Sequence, residues 1–547
     1  MADSSAKGAV PALLGTYAVW YLVLAFVLPI PSIINGLLDD SFYYLQVARH
    51  VAAGHGSTFD GLERTNGYHP LWMWMLVPVH WLTGNNPEAA LRFALGLSAL
   101  LGFSCCVQIA RLLRARSGEW VAAAGLLVFA WPRFLGQTVN LLETGLLLFL
   151  YLLIAGALLP RDPTRPDSPD PPHRSGSATP AAPLARSSLR RALIRGVLIG
   201  LACLARLDTI FLLAALTWHA ATDRPRSWLP WISLSMAGVM VAPYLLWNLI
   251  TFGHLQPVSG AVKSTFPSPS PHWHYLREFP EFTALLALGI LFFLAGLRRT
   301  AGPWVRMLGV FGLAGALHYA YTLLFMTWGV DRWHFAVLIP LAVLGLPWLA
   351  DRALRAALRP RPAARLRWLA LGLGLVAAVA VQARSLDVRR DRHLTAVAEG
   401  ARWAREHLEP GAIVAMTDAG VFAYLSGLTT VNLDGLINSY DYLESLRAGR
   451  VREYLDRKGV DYFMECATYG RPDLLDGTYE TRLSRFWDRR AGRVTDQLVL
   501  YREDEVFRRN LLSRPFALSR PEPNAVILYR YRPQSSAAHP HPEDLHR

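Results

Sequence analysis

The sequence predicts a polytopic α-helical membrane protein that carries surface helices on its outer face and a small C-terminal α/β domain. Hydrophobic residues make up 52% of the 547 residues and charged residues only 18%, against roughly 25% charge in soluble domains. The apolar residues come in blocks, many of them long enough for a membrane-spanning helix, which needs ~20 residues. From Gly411 onward, short strand-like runs alternate with helical segments, a pattern typical of α/β domains. The predicted strands are Ala412–Thr417, Thr429–Leu433 and Val460–Met464, and the predicted helices are Gly420–Ser426 and the amphipathic Tyr442–Lys458.

The apolar blocks predict eleven membrane spans. The block 193–221 is long enough for two short spans that break near Arg206-Leu207-Asp208. The other nine candidates are 12–34, 88–112, 119–138, 140–159, 228–250, 281–297, 303–326, 334–350 and 367–383. Leu71–Leu82 is apolar but too short to span, so we expect it to lie on the outer face or to dip partway into the bilayer.

The basic residues predict the orientation of the chain. The formal net charge is +14, and many Lys and Arg residues lie at the ends of apolar blocks, where they act as topology signals. This placement argues against a nucleic-acid partner. With a cytoplasmic N-terminus, every basic cluster falls inside; these clusters are Arg111–Arg116, Arg161–Arg195, Arg224/Arg226, Arg298/Arg299 and Arg352–Arg367. Loops 35–87, 251–280 and 327–333, and everything after about 384, then lie outside. The abundance of Ala, Arg, Pro and Leu indicates a GC-rich bacterial source and hence the plasma membrane.

Two domains follow from this organisation: 1–383 in the membrane and 384–547 outside it. The first contains the outer loop 35–87 and a loop at 160–192, whose Pro, Ser, Arg and Ala content predicts cytoplasmic disorder. In the second, Asp418 and Asp434 each follow a strand, where ligands bind in open α/β sheets. Turn or capping roles are favoured for both, because no phosphate-binding Gly-rich loop follows either strand.

The acidic pair Asp39-Asp40 is the strongest chemical feature, and it lies where the first span ends and a surface helix begins. A carboxylate at a helix N-terminus is stabilised by unpaired backbone N–H groups, which explains one Asp comfortably and two less well. A carboxylate at the membrane surface is also suited to accept a proton or to hold a divalent cation.

Asp39-Asp40 and the segments 54–61 (GHGSTFDG) and 65–72 (TNGYHPLW) resemble the acidic motif and first loop of the glycosyltransferase C (GT-C) superfamily. Segments 140–144, 205–208 and 257–263 resemble it more loosely. The superfamily includes protein O-mannosyltransferases, aminoarabinose transferases of lipid A and mycobacterial arabinofuranosyltransferases. The resemblance implies an enzyme that transfers a sugar from a polyprenyl-phosphate donor to a hydroxyl of a glycan, lipid or protein.

Under this resemblance Asp39 or Asp40 is the catalytic carboxylate, and the sequence leaves both as candidates. The Asp-Asp form also leaves open whether the pair holds a divalent cation, Mg²⁺ or Mn²⁺. His69 and Asn66 belong to the motif and are candidate substrate-binding residues.

Other charged residues are candidates by position. Glu143 lies inside an apolar block, where an ionisable residue is a functional candidate; the alternative is a buried pair with Arg206. Arg206 has two alternatives, the donor phosphate or a pair with Asp208. Lys263, Arg332 and His334 are suited to bind a phosphate, although Arg332 is equally suited to be an interfacial anchor.

Two other functions compete with the enzyme. A transporter or flippase of a lipid-linked substrate would also place charges within spans, but transporters commonly show internal repeats, and none is visible here. A non-catalytic envelope assembly protein would leave Asp39 and Asp40 dispensable.

Overall fold

The computed structural model describes residues 8–160, 182–222, 227–357, 372–374, 376, 393–468, 478–483, 487–488, 496–511 and 523–533. The chain divides into two compact units. The membrane unit comprises Met1–Leu37, His69–Gln256 and Ser264–Asp387, and the α/β unit comprises Leu38–Tyr68, Pro257–Lys263 and Val388–Arg547. This division differs from the predicted boundary at 383/384, because much of the first loop belongs to the same unit as the C-terminal region.

Twenty α-helices are described. In chain order they are α1 Ala9–Leu22, α2 Ile30–Gly36, α3 Asp39–Ala52, α4 Pro70–Leu82, α5 Pro87–Ser117, α6 Glu119–Phe129, α7 Pro132–Leu135, α8 Thr144–Leu158, α9 Ala182–Ala205, α10 Ile210–Thr222, α11 Leu229–Phe252, α12 Val258–Lys263, α13 Tyr275–Glu278, α14 Pro280–Gly296, α15 Pro303–Phe325, α16 Leu346–Ala357, α17 His393–His407, α18 Gly420–Ser426, α19 Tyr440–Ala448 and α20 Val451–Lys458. A π-helical segment, Val23–Val27, extends α1.

Four helices in the described part of the chain are long and apolar enough to cross a membrane. They are Ala9–Val27, Pro87–Ser117, Leu229–Phe252 and Pro303–Phe325, and the pair Arg332–Leu338 and Leu341–Ala357, bent by 44°, would make a fifth. Shorter apolar helices are Glu119–Phe129, Thr144–Leu158, Leu207–Thr222 and Pro280–Gly296. The protein is therefore a multi-pass membrane protein, and the count of eleven spans stays a prediction.

Two of the predicted boundaries can be compared directly with the ends of helices in the structure. The predicted break near Arg206 is present, because α9 ends at Ala205 and a 3₁₀ turn, Leu207–Thr209, precedes α10. Helix α9 begins at Ala182, inside the loop 160–192 that the sequence predicts to be disordered. Residues 161–181 of that loop, and the predicted span 367–383 apart from 372–374 and 376, lie outside the described residues.

Helix pairs build the membrane unit. α9 packs on α11, α14 on α15, α10 on α15, and α5 on both α6 and α8. At the α14–α15 crossing, a Cβ on Gly312 would lie 2.0 Å from the backbone oxygen of Gly289. Only glycine permits this approach, which brings two backbones into contact as small residues do between membrane helices.

The α/β unit contains a five-stranded mixed sheet in the order β2-β1-β3-β7-β6. Its strands are β1 Ile413–Met416, β2 Thr429–Asn432, β3 Tyr462–Thr468, β6 Glu505–Asn510 and β7 Pro523–Arg530, while β4 Thr478–Arg482 and β5 Gln497–Tyr501 form a separate antiparallel pair. β1 runs parallel to β2 and β3, and β7 is antiparallel to β3 and β6. Helix α18 makes the crossover from β1 to β2 that a parallel pair requires.

One predicted helix of this unit is two helices. The segment Tyr442–Lys458 reads as one amphipathic helix, but α19 ends at Ala448 and α20 begins at Val451. The break follows from Gly449, which takes a φ of +67° and caps α19 in the left-handed conformation that glycine favours.

The two earlier segments of the α/β unit, Leu38–Tyr68 and Pro257–Lys263, pack on its C-terminal segment through helices. α3 packs on α18, and α12 packs on α19. The motif residues of the first loop from Asp39 to Tyr68 therefore belong to the same folded unit as the C-terminal strands, whereas its motif residues from His69 onward belong to the membrane unit.

Candidate functional site

Asp39 caps a helix that follows it by almost four hundred positions. Its Oδ2 accepts a hydrogen bond from the backbone N–H of Gly420 (2.7 Å), and its Oδ1 accepts one from the N–H of Val421 (2.9 Å). These are the first two residues of α18, whose N–H groups have no partner inside the helix. Both oxygens of Asp39 are thus used to join α3 to α18.

The approach of α3 to α18 leaves no room for a larger residue at position 420. A Cβ on Gly420 would lie 2.3 Å from the backbone oxygen of Asp39. Burial raises the pKa of Asp39 to about 7; the two N–H donors oppose the rise, and the nearby carboxylates of Asp40 and Asp434 add to it. The strength of this cap therefore depends on pH.

Asp40 is half-buried, whereas Asp39 is 8% exposed. Asp40 is consequently the member of the pair that retains access to solvent. Among the described residues, no group of three His, Cys, Asp or Glu side chains is arranged to hold a metal ion. Both oxygens of Asp39 accept backbone N–H bonds, and the divalent cation that the sequence leaves open at this pair stays open.

One turn further along α3, the side chain of Tyr43 joins α3 to the end of β2. The Tyr43 hydroxyl donates to Oδ2 of Asp434 (2.5 Å), and the side-chain amide of Asn432 donates to both of them, at 3.1 and 3.0 Å. Oδ1 of Asp434 also accepts the N–H of Leu436 (2.8 Å), which is the turn role that the sequence favours. Burial, with the Asp434 charge second, raises the pKa of Tyr43 well above its usual range, so the phenol stays a donor.

The motif Thr65-Asn66-Gly67 holds the first loop against other segments of the α/β unit. The Thr65 hydroxyl donates to the backbone oxygen of Asn438 (2.8 Å), and Asn66 accepts the N–H of Val258 (3.0 Å). A Cβ on Gly67 would lie 2.0 Å from the backbone oxygen of Leu436. Asn66 is fully buried and holds the segment that carries Lys263. Lys263 itself is the last residue of α12 and is half-buried.

In the membrane unit, Glu143, Arg206, Asp208, His318 and His69 form what we name the buried ion cluster. Nη1 of Arg206 donates to Oε1 of Glu143 (2.6 Å), while its Nε and Nη2 donate to Oδ2 of Asp208 at 3.0 and 2.6 Å. Arg206 therefore pairs at the same time with Glu143 and with Asp208, the two internal partners that the sequence analysis offers. Because burial of a charge is costly unless it is paired, this arrangement compensates Glu143, which is 2% exposed.

Two histidines complete the buried ion cluster. Nε2 of His318 lies 3.6 Å from Oδ2 of Asp208, and its ring stacks on Phe211 at a centroid distance of 5.0 Å. Nε2 of His69 lies 3.8 Å from Oε1 of Glu143. The cluster holds two carboxylates and one guanidinium, so a proton on either imidazole would balance its charge.

Arg332 and His334 are close together, at the start of the 3₁₀ helix Arg332–Leu338. Nε of Arg332 lies 3.2 Å from Oε1 of Glu281, which also forms an ion pair with Arg133. His334 has a capping role, since its Nδ1 accepts the N–H of Asp331 (3.2 Å). The structure therefore gives Arg332 an acidic neighbour that the sequence analysis does not anticipate.

Residues of these networks that are absent from the sequence-based candidates include Tyr43, Asn432, His318, Glu281 and Arg133. His318 lies inside the span Pro303–Phe325, and an ionisable residue in a span is the signal that could have identified it. Tyr43 carries no such signal, because its partner becomes apparent only when α3 is packed on the sheet.

The comparisons with known proteins bear on the fold. Two crystal structures of ArnT from Cupriavidus metallidurans are similar to the chain. The apo form has a TM-score of 0.50 at 15% identity, over 84% of this chain and 96% of that one. The form bound to undecaprenyl phosphate has a TM-score of 0.52 at 14% identity, over 96% of this chain and 99% of that one. The apo form of the oligosaccharyltransferase of Archaeoglobus fulgidus has a TM-score of 0.52 at 12% identity, over 84% of this chain and 70% of that one.

These proteins are GT-C glycosyltransferases. The chain has the GT-C fold. A family model described as a domain of unknown function (DUF8728) matches residues 385–507. A search of curated protein sequences found no match. The GT-C fold thus rests on the structural likeness.

Proposed function

We propose that the chain is a glycosyltransferase that moves a sugar from a polyprenyl-phosphate donor to an acceptor hydroxyl at the outer face of the plasma membrane. The product would be a cell-envelope glycan, glycolipid or glycoprotein. Support for the donor class comes from the GT-C fold and from the ArnT structure bound to undecaprenyl phosphate. The observation that carries the proposal is the acidic pair, in which Asp39 caps α18 and Asp40 retains exposure.

In this proposal Asp40 is the general base. Its carboxylate accepts the proton of the acceptor hydroxyl while the oxygen attacks the anomeric carbon of the donor sugar. The bond between that carbon and the phosphate oxygen breaks, and the lipid phosphate departs with the electron pair. A single displacement of this kind inverts the anomeric centre.

Lys263 is the proposed partner of the donor phosphate in the α/β unit. Its ammonium would act as a point charge that stabilises the departing phosphate. Asn66 contributes indirectly, because it fixes the segment that carries Lys263 through the N–H of Val258. Its proposed substrate-binding role is thereby replaced by a positioning role.

In the membrane unit, Arg332 keeps its proposed role as a phosphate partner, since the set formed with Arg133 and Glu281 contains two guanidinium groups. Arg206 has a different proposed role. Two carboxylates already engage its guanidinium, so it stabilises the buried ion cluster instead of binding phosphate.

The test is sugar transfer by purified protein in nanodiscs, using a panel of short-chain polyprenyl-phosphate sugars. We expect one donor to be consumed, and we expect Asp40→Asn to lower turnover by roughly 10²- to 10⁴-fold, the usual contribution of a general base. Asp441→Asn is the matched control, because Asp441 is an exposed carboxylate of the same unit. Absence of turnover with every donor, or equal turnover by Asp40→Asn, would favour the transporter or assembly functions.

A further inference from the structure

A cavity of about 450 Å³ lies in the membrane unit where the C-terminal ends of α10 and α14 meet the N-terminal part of α15. Its volume falls within the range of ligand pockets, roughly 300–1,000 Å³. None of the residues so far assigned a role lines it. It is therefore separate from the buried ion cluster and from the set around Glu281.

The ionisable residues that line this cavity are all basic. His219, Arg299 and Arg306 line it, and no acidic residue is among the lining residues, all of which are described. Arg306 donates from Nη2 to the backbone oxygen of Arg299 (3.2 Å), which ties the two guanidinium-bearing segments together. Two guanidinium groups and an imidazole at one cavity provide the donors that a phosphate monoanion or diester accepts.

The remaining lining residues are apolar apart from Thr222. Trp218, Phe293, Leu297 and Leu313 line the cavity, and the Trp218 side chain is half exposed. A tryptophan beside basic residues at the end of membrane helices is typical of the bilayer interface. The combination of cations with an apolar wall suits an amphiphile that has a charged head and hydrocarbon chains.

Basic residues at helix ends also arise simply as topology signals, and such residues need no cavity. The neighbouring Arg298 illustrates that case, because it lies in the same turn yet does not line the cavity. Arg298 and Arg299 belong to one basic cluster, but only Arg299 lines the cavity.

We propose that this cavity binds the phosphate of an anionic phospholipid, held by Arg299, Arg306 and His219 with the acyl chains along the apolar wall. Basic pockets between membrane helices bind lipid headgroups in this way. The site is independent of the proposed sugar transfer, so its failure and the failure of that function are distinguishable.

The experiment measures the thermal unfolding of the full-length protein, delipidated in a neutral detergent, as short-chain phosphatidylglycerol is added. We expect a rise in Tm for the unaltered protein and for the matched control Arg298→Gln. Phosphatidylcholine and inorganic phosphate should give little or no rise, because the first lacks net charge and the second lacks chains.

Arg299→Gln should weaken the apparent affinity for phosphatidylglycerol roughly fivefold, and Arg299→Gln with Arg306→Gln more strongly. Arg299 is exposed, so the single variant tests the site without risk to the fold if the double variant does not fold. An unchanged lipid response in Arg299→Gln, an equal loss in Arg298→Gln, or a full Tm gain from inorganic phosphate alone would overturn the proposal.

Discussion

Asp39 and Asp40 are neighbours in sequence, but their carboxylates have different surroundings. Asp39 is buried against α18 and accepts two backbone N–H bonds, whereas Asp40 is partly exposed. The sequence offers, as the alternative to a catalytic role, that Asp40 caps the helix that follows it; in the structure Asp39 instead accepts backbone N–H bonds from α18. The capped residues are 381 and 382 positions away, and no local pattern reports a partner at that separation.

The raised pKa of Asp39 gives a prediction for the effect of pH on stability. Its pKa is about 7 in the folded protein against an ordinary 3.8, so the folded state holds an extra proton between about pH 4 and 7. The stabilisation that Asp39 provides is complete below pH 4 and is lost as the pH rises towards 7. The slope approaches about 1.4 kcal/mol per pH unit.

Thermal unfolding of the full-length protein in detergent from pH 4 to 8 checks this. Asp39→Asn should flatten the loss of stability across that window, because the titrating group is gone. An Asp39→Asn profile parallel to that of the unaltered protein would contradict it.

At the scale of the element, the packing of the first loop against the segment that carries Leu436 depends on Gly67. Gly67→Ala should destabilise the protein by about 1–3 kcal/mol, the usual cost of overpacking, because its Cβ would meet the backbone oxygen of Leu436. Gly15→Ala is the control, since that position in α1 has open space around it. Chemical unfolding measures both, and equal stability of the two variants would count against this packing.

The buried ion cluster predicts an asymmetry between its members. Arg206→Gln leaves the buried carboxylate of Glu143 and the partly buried carboxylate of Asp208 without their common partner and should cost about 3–5 kcal/mol. Glu143→Gln should cost less, because Asp208 still pairs with Arg206. Arg114→Gln, which removes the more exposed pair with Glu119, should cost about 0–1 kcal/mol.

Unfolding in mixed detergent micelles ranks these three variants. If Arg206→Gln were no more destabilising than Arg114→Gln, the cluster would not be the stabilising network described here.

The elements show which features hydropathy and turn chemistry can predict. The strands at 412–417 and 429–433 and the short helix Gly420–Ser426 are read from local patterns and agree closely with β1, β2 and α18. The antiparallel strands β6 and β7 are missed, because their pairing with each other and with β3 is set by the tertiary fold. The pairing of Arg206 with two carboxylates was foreseeable in part, since buried charges require partners.

At the scale of the whole molecule, the orientation in the membrane is a prediction that labelling can check. In a background with Cys466→Ser, Ser268→Cys should react with a membrane-impermeant maleimide on intact cells. Thr300→Cys, in a loop between α14 and α15, should react only after lysis, because Arg298 and Arg299 predict a cytoplasmic position. Labelling of Thr300→Cys alone on intact cells would reverse the predicted topology.

The fold class was also predictable at this scale, because apolar blocks and the acidic motif both point to the GT-C fold that the structure shows. The grouping of Leu38–Tyr68 with the C-terminal region was not predictable. It depends on contacts such as Asp39 with Gly420 and Thr65 with Asn438, which join parts of the chain that composition treats separately.

The measurement that tests the central claim most directly compares kcat and Tm for Asp40→Asn and Asp39→Asn with the donor that the unaltered protein consumes. Asp40→Asn should lower kcat by at least about 10²-fold with a Tm near that of the unaltered protein, because it removes a base. Asp39→Asn should lower Tm at pH 4, where the stabilisation by Asp39 is still nearly complete, while the folded protein retains most of its kcat at neutral pH, because the substitution removes a cap. The opposite pattern, or an Asp40→Asn kcat close to that of the unaltered protein, would contradict the account.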